Sequence, residues 1–256
     1  MSTQQNRNEF VESFAKGLAI LQALNSEPAS LAEVARKTGQ SRATARRFLL
    51  TLSHLGYCST DQNGYRLTAK VLELGALYQT GAALSEIATP HMRSLVSKFG
   101  EASALGTLNG DKVIIVAYAR PSRRLLLQLD VGDTLPASRS AQGRILLAQL
   151  PHDEARRHID SFSITTQEKQ MLLHSVQMTR ELGYAIVDGE IDEGIRSIAI
   201  QLNSPSQKPN YAITVCAHAN RVSAEVLLAS YLPELRSCAQ AIQKEWPTHA
   251  NAISEK

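Results

Sequence analysis

The side chains best equipped for chemistry lie in SRATARRFLLTLSHLGY, Ser41 to Tyr57. Arg42, Arg46 and Arg47 stand among small and hydroxyl residues at one end, and an apolar series follows. A guanidinium is planar, permanently charged and forked. It can bond guanine O6 and N7 together, or grip a phosphate. Ser41 and Thr44 add hydroxyls suited to bases or phosphates. Lys37, upstream, and Arg66, downstream, suit backbone contacts. Charge is distributed to match. Residues 1–84 hold nine Lys/Arg against six Asp/Glu and carry the whole net charge of +3. Within 31–70 the balance is seven against two. Such local asymmetry points to a polyanion.

Catalytic chemistry finds less to work with. There is no G-x-S-x-G, Walker loop, H-E-x-x-H or dinucleotide fingerprint. Asp188, Glu190, Asp192 and Glu193 cluster without the spacing or turn glycine of a calcium loop. They read instead as a loop and strand start over a pocket mouth. Cys58, Cys216 and Cys238 are odd in number and show neither paired metal-ligand spacing nor a disulfide framework. No metal and no cofactor is expected. The longest apolar runs are a few residues, far below the roughly 20 that span a bilayer. The start, MSTQQNRNEF, lacks a signal peptide's apolar segment. These features predict a cytoplasmic, reducing location and no membrane partner.

The elements that must hold the cations follow from periodicity. Residues 13–25 read as a helix capped by Ser13, with Phe14, Leu18, Leu21 and Leu24 on one stripe. Ser30 caps a second helix with Glu33 as its capping box, and Gly39 ends it. Ser41 caps a third, whose expected buried stripe is Ala45, Phe48, Leu49, Leu52 and Leu55. Asn63-Gly64 then marks a two-residue hairpin. Helix, helix, tight turn, helix and hairpin make a winged helix-turn-helix over 10–70. The third helix is its recognition helix. Arg42 and Arg46 share a face away from Phe48 and Leu52, so they are the expected base contacts. Arg47, about 100° round, is the expected phosphate contact. A solvated three-helix domain with decorative arginines is the competing reading.

Residues 71–84 read as a linker helix with Val71, Leu74, Leu77 and Tyr78 on one face, suited to dimerisation or to packing on a neighbouring domain. From 85 to 248 the pattern is α+β. A helix covers about 85–99, and strands are expected at 104–108, 112–120 and 125–130. A turn-like loop leads to a helix at 140–150, followed by helices at 152–159 and 166–183. Strands follow at 184–188, 195–202 and 210–217, and a long helix runs from 222 to about 245. Hairpin strands with grouped helices imply an antiparallel sheet.

The segments LAEVARKTGQSRATARRFLLTLSHLGY, YRLTAKVLELG, LPASRSAQGRILLAQL, ELGYAIVDGEIDEGIRSIAI and YAITVCAHANR, in this order, resemble the IclR family of bacterial transcriptional regulators. YARPSRRLLLQLDVGDTLPA and SAQGRILLA are most similar to its subgroup controlling aromatic-acid catabolism, the β-ketoadipate pathway regulators. The resemblance implies a GAF-like antiparallel-sheet effector domain and dimers joined through the DNA-binding domains, often assembled into tetramers. It implies a small organic acid as effector, expected to be aromatic or dicarboxylic, and a dimer would place two recognition helices on a near-palindromic operator. It also implies a pocket from Ser140, Ala141, Gln142, Ser197, Thr214 and Cys216. The family often carries a carboxylate where this chain has Val187.

The residues bear on that pocket themselves. Alternation puts Ile213 and Val215 on one face of a strand and Thr214, Cys216 and His218 on the other. The small polar face suits a ligand, or the underside of a helix. A helix beginning at Ser140 offers N–H groups to an acid. Arg139 beside it could take a carboxylate in two bonds, with Arg120 and Arg124 as second choices. An exposed Arg139 paired with Asp133 or Asp130 is the other possibility. The expected function is a ligand-responsive regulator of a catabolic operon. The alternative is a small-molecule-converting enzyme with an accessory helical domain. A purely architectural DNA binder would leave the neutral second domain without a use.

Overall fold

A computed structural model describes residues 10–80, 84–121, 129–203 and 210–253. The chain divides after Gly81 into two compact units.

The first unit contains α1 (Glu12–Ala23), α2 (Leu31–Thr38), α3 (Arg42–His54), a hairpin of β1 (Cys58–Asp61) and β2 (Gly64–Leu67), and α4 (Val71–Thr80). Its core is Ile20, Leu24, Val34, Ala35, Ala45, Leu49, Leu52 and Cys58. Each fully buried leucine or isoleucine contributes about 1.5–3 kcal/mol relative to exposure. Leu49 and Ile20 therefore weigh more than any surface pair. Ser30 accepts from the Glu33 N–H, and Glu33 accepts from the Ser30 N–H, closing the expected capping box of α2. Gly39 ends α2 in the left-handed region (φ 64°).

Two details depart from periodicity. The buried stripe of α1 is Ile20 and Leu24, while Phe14 is 67% exposed and Leu18 43%. The helix is capped at Val11 and not Ser13. The C-terminal half of the stripe read from sequence, Leu21 and Leu24, packs on the core, while its first half, Phe14 and Leu18, faces solvent. In the hairpin, Asp61 pairs with Gly64, so the loop residues are Gln62 and Asn63, one position before the expected Asn63-Gly64. Gly64 is required for a different reason. A Cβ there would lie 2.5 Å from the Ala29 carbonyl oxygen, because Ala29 bridges to Tyr65 and stitches the wing to the α1–α2 connection.

The second unit opens with α5 (Leu84–Phe99), β3 (Ala102–Asn109), β4 (Lys112–Ala119) and β5 (Thr134–Pro136). A 3-10 turn (Ala137–Arg139), α6 (Ala141–Ala148), α7 (His152–Asp160) and α8 (Thr166–Leu182) follow. It closes with β6 (Tyr184–Asp188), β7 (Ile195–Leu202), β8 (Tyr211–His218), α9 (Ala224–Val226) and α10 (Leu232–Ile253). The six strands form one antiparallel sheet in the order β5-β4-β3-β8-β7-β6. Its outer face, with Leu105, Ile198, Ile213 and Val215, shares a core with residues of α5 and α10. Its inner face, with Val113, Val187, Ala199 and Ala212, shares a core with residues of α6, α7 and α8.

The expected loop before α6 contains β5, an edge strand paired to β4. The strand expected at 125–130 falls mostly outside the described residues, and Leu129 and Asp130 are not in a strand. The long C-terminal helix is interrupted by a π turn, Leu227–Tyr231. Pro233 accounts for it. Proline lacks an N–H and its ring would strike the carbonyl four residues back, so the turn ahead of it widens.

The two capping boxes make stability depend on acid. Glu33 is held below the ordinary 4.5 by hydrogen bonds from Ser30, first from its backbone N–H. Glu168, at the start of α8, is held below 4.5 first by the Thr165 hydroxyl and then by its N–H. A depressed carboxylate stabilises the fold in its charged form. Its contribution is complete above 4.5 and is lost as pH falls through the lower folded value. Glu33→Gln should therefore lower Tm at pH 7 and not at pH 3. Thermal melts followed by circular dichroism check this, and an equal Tm loss at both pH values would contradict it.

Candidate DNA-binding surface and effector site

The recognition helix begins at a cap. The Ser41 hydroxyl accepts from the Thr44 N–H (3.1 Å) and donates to the Thr44 hydroxyl (2.9 Å). Ser41 is thus committed, while Thr44 keeps its own proton to donate. Behind the cap, Ala45, Leu49 and Leu52 are buried, Phe48 is half-buried, and Leu55 is 49% exposed at the C-cap. The expected stripe was centred too far toward Phe48 and Leu55.

That shift rotates the whole helix. At about 100° per residue, the direction opposite Ala45, Leu49 and Leu52 falls on Ala43 and Arg47, with Leu50 beside them. Arg46 lies roughly 90° from that direction and Arg42 farther still, both toward α2. The surroundings agree. Arg42 lines a cleft with Ala32, Ala35 and Arg36 of α2, and Arg47 lines another with Ser13 and Lys16 of α1. Sequence periodicity puts Arg42 and Arg46 on the outward face and Arg47 to its side; in the structure all three are exposed, and Arg47 lies nearest the direction opposite the core stripe.

Pairing also separates the cations. Among the described residues, none of Arg36, Lys37, Arg42, Arg46 or Arg47 has a carboxylate at ion-pair distance. Basic residues elsewhere do: Arg66–Asp61, Lys98–Glu234 (2.7 Å), Arg120–Asp130 (2.6 Å) and Arg196–Asp188 (2.5 Å). A run of such cations on α3 and in the last turn of α2 is costly in self-repulsion, and a polyanion relieves it. Arg66, on the wing, is already engaged by Asp61 across the hairpin.

In the second unit, α6 begins against the inner face of the sheet. Ser140 caps it by accepting the Gly143 N–H (3.0 Å). Ser140, Ala141 and Gln142 are each 2% exposed. Among the described residues no acceptor meets the N–H of Ala141 or Gln142. The Gln142 side chain is committed to holding α6 down: its amide nitrogen donates to the Ala104 carbonyl (3.2 Å) and the Ala212 carbonyl (2.9 Å). Gly143 permits that approach, because a Cβ there would stand 2.0 Å from the Ala137 carbonyl oxygen.

On the sheet, Ser197 is paired with Cys216, and Ala199 with Thr214, which in turn faces Ala104. Ile213 and Val215 belong to the outer cluster, so Thr214 and Cys216 lie on the inner face, as alternation predicts. Thr214 donates its hydroxyl to the Ile198 carbonyl (2.8 Å). Desolvation pushes the Cys216 thiol up to about 11. Beside this strip is a small apolar cluster of Ala104, Ile115, Leu129 and Leu135, bordered by Tyr118 and Ile191.

Tyr118 was not legible from sequence. Simple alternation along β4 would put it on the face opposite Val113 and Ile115. A bulge leaves Val116 unpaired, since Leu105 faces Ala117 while Gly106 faces Ile115. Parity flips there and Tyr118 joins the inner face. Burial raises its hydroxyl to about 12. Arg144 was missed as well. Its guanidinium bonds the Ile186 carbonyl (3.1 Å) and Glu190, tying α6 to the β6–β7 loop.

The arginines expected at the pocket are otherwise placed. Arg139 is exposed, and among the described residues no ion pair joins it to Asp130 or Asp133; its charge contributes slightly to holding Glu168 on α8 low. Arg120 is exposed, bonds Asp130 and the Leu129 carbonyl, and sits 5.8 Å from the Tyr118 ring centroid. Arg124 lies outside the described residues. Val187, opposite Ser197, is buried in the cluster beneath α6 and α8.

Residues 13–62 match the IclR helix-turn-helix domain, and residues 76–244 match the bacterial transcriptional regulator IclR C-terminal domain. The chain belongs to the IclR family. The Pca regulon regulatory protein of Pseudomonas putida is 32% identical over 241 residues, 91% of this chain and 83% of that protein. A transcriptional regulator from Rhodococcus sp. RHA1 is 34% identical with a TM-score of 0.76, covering 93% of this chain and 99% of that one. An IclR homologue from Microbacterium hydrocarbonoxydans, solved with 4-hydroxybenzoate, shares the fold at 19% identity. Its TM-score is 0.75, over 92% of this chain and 99% of that one. This IclR-family chain is a transcriptional regulator, and the enzyme alternative falls. Among the described residues no helix is long and apolar enough to cross a membrane.

Proposed function

We propose that this regulator controls a catabolic operon from the cytoplasm. As a homodimer it places two α3 helices in successive major grooves of a near-palindromic operator and responds to a small aromatic carboxylic acid. The acid's carboxylate meets the Ala141 and Gln142 N–H groups. Its body lies over Ser197, Thr214, Cys216, Tyr118 and the Ile115–Leu129–Leu135 cluster. The observation that carries this reading is the pair of buried N–H groups at the start of α6, without acceptors among the described residues, above a small polar strip. A helix N-terminus favours an anion through its aligned dipoles. Arg139 and Arg120 stand at the rim, each already near a carboxylate. The acid bound by the Microbacterium homologue is of the class such a site would take.

On DNA, Arg47 reads base edges, with Leu50 and Ala43 placed to meet thymine methyl groups. Lys37, Arg42, Arg46, Thr44 and Arg66 fix the helix on the backbone. The exposed Phe10 and Val11 ahead of α1, Phe14 and Leu18 on it, and Leu72 and Leu74 on α4 offer apolar surface for a second copy. Pairs of dimers would form tetramers. Acid binding shifts the population of DNA-competent dimers by its difference in affinity between states.

The test is a gel shift on the chain's own upstream DNA across a salt series, with 4-hydroxybenzoate, other benzoates and aliphatic dicarboxylates added in turn. A sequence-selective, salt-sensitive complex that an aromatic acid alters supports the reading. A complex that no aromatic acid changes sinks the effector half. For the pocket itself, Cys216→Leu should weaken the responding acid by about tenfold or more by filling space where a drug-sized ligand is almost wholly enclosed. DNA affinity without acid should stay as in wild type. Isothermal calorimetry reads the first and the gel shift the second.

A further inference from the structure

The recognition helix has an open cleft on each flank. One, of about 520 Å³, lies between α2 and α3 and includes Arg36 and Arg42. The other, of about 390 Å³, lies between α1 and α3 and includes Glu12, Ser13, Lys16, Thr44 and Arg47. Motif reasoning finds the first, because α2, the turn and α3 are the motif. It passes over α1.

Three observations set Lys16 apart. Its carbonyl accepts from the Gln40 side chain (3.2 Å), so its place on α1 is tied to the turn that starts α3. Its ammonium is 2.7 Å from Glu12, one helical turn earlier, with both side chains well exposed (44% and 74%). That bond, more than simple proximity, holds Glu12 below the ordinary carboxylate value. Exposed pairs of this kind are weak and yield readily to a competing anion. Lys16 also shares its cleft with Arg47 and with Thr44, whose hydroxyl donates to no acceptor among the described residues.

A helix in the major groove runs between two phosphate backbones, and contacts on its flanks go to phosphates. We propose that the α1–α3 cleft is a second backbone seat. In it Lys16, helped by Ser13 and Thr44, takes a phosphate from the strand opposite the α2 flank, and Glu12 is the counter-ion it gives up. This rests on the DNA-binding reading above. Glu12 acts as a built-in competitor: it neutralises the seat in free protein and weakens hold on every duplex alike.

The test is full-length protein on operator and on random duplex of equal length, from about 50 to 200 mM salt. Lys16→Ala should weaken both duplexes by the same factor, about three- to tenfold, and flatten the log K against log salt slope by about 0.9. Lys16→Arg should restore most of the loss. Glu12→Gln should tighten both duplexes by about two- to threefold, as removal of one charge beside a phosphate does. Lys16→Ala with wild-type affinity and slope, or with a loss confined to the operator, overturns the seat. Should wild-type protein bind neither duplex in a salt-dependent way, the DNA reading itself fails. Selective wild-type binding with an indifferent Lys16 variant removes only the seat.

Discussion

Arg47→Ala should abolish most operator preference while leaving binding to random duplex nearly intact. Arg47 points away from the Ala45–Leu49–Leu52 core stripe, so a helix seated in the groove aims it at the base edges. A bidentate guanidinium–guanine contact is worth about 1–3 kcal/mol of discrimination, roughly five- to 150-fold. Arg46, about a quarter turn toward α2, should behave differently. Arg46→Ala should weaken operator and random duplex alike and lower the salt slope by about 1. Measured pairs of affinities for the two duplexes separate these patterns. If the two variants exchange behaviour, α3 enters the groove rotated toward α2, on the face the sequence alone had suggested.

The second large effect belongs to Gly143. A Cβ at this position would sit 2.0 Å from the Ala137 carbonyl oxygen and 2.5 Å from the Ala137 Cα, both backbone atoms. No rotamer relieves such a clash. With alanine there, the start of α6 must lift from the 3-10 turn, and the Gln142 bonds to β3 and β8 go with it. Overpacking of this kind costs about 1–3 kcal/mol or more. Gly143→Ala should therefore lose detectable acid binding and lower the melting temperature of the second unit. The DNA-binding unit has a separate core, from Ile20 to Cys58, so binding to DNA should persist without response to acid. Calorimetry with acid and a gel shift on the same preparation check both halves. An acid affinity within about threefold of wild type would mean that the start of α6 is not where the carboxylate binds.

Much of the architecture was written locally. The Ser30–Glu33 capping box, the Gly39 stop, the Ser41 cap and the alternation of β8 each depend on neighbours a few residues away, and each is found where the pattern places it. The misjudged features share another property. Phe14, Leu18 and Leu55 are apolar at helical spacing, yet they face solvent, because burial depends on which neighbouring element arrives. Tyr118 changed faces because of one unpaired residue, Val116, whose bulge involves a partner strand. Gly64 looked like a turn residue and is instead a point of close approach to Ala29.

The sequence by itself determined the order of the helices and of all strands but β5, the concentration of cations in the first third and, through its motifs, the IclR family. These follow from composition, spacing and short-range hydrogen bonding. Tertiary structure decided which face of α3 is buried, and with it that Arg47 lies opposite the core stripe. It engaged Arg120 with Asp130 and Gln142 with the sheet, and it buried the start of α6 with two N–H groups that meet no acceptor among the described residues. A helix has several nearly equivalent apolar faces, and a charge has several possible partners. Only packing against distant segments selects among them.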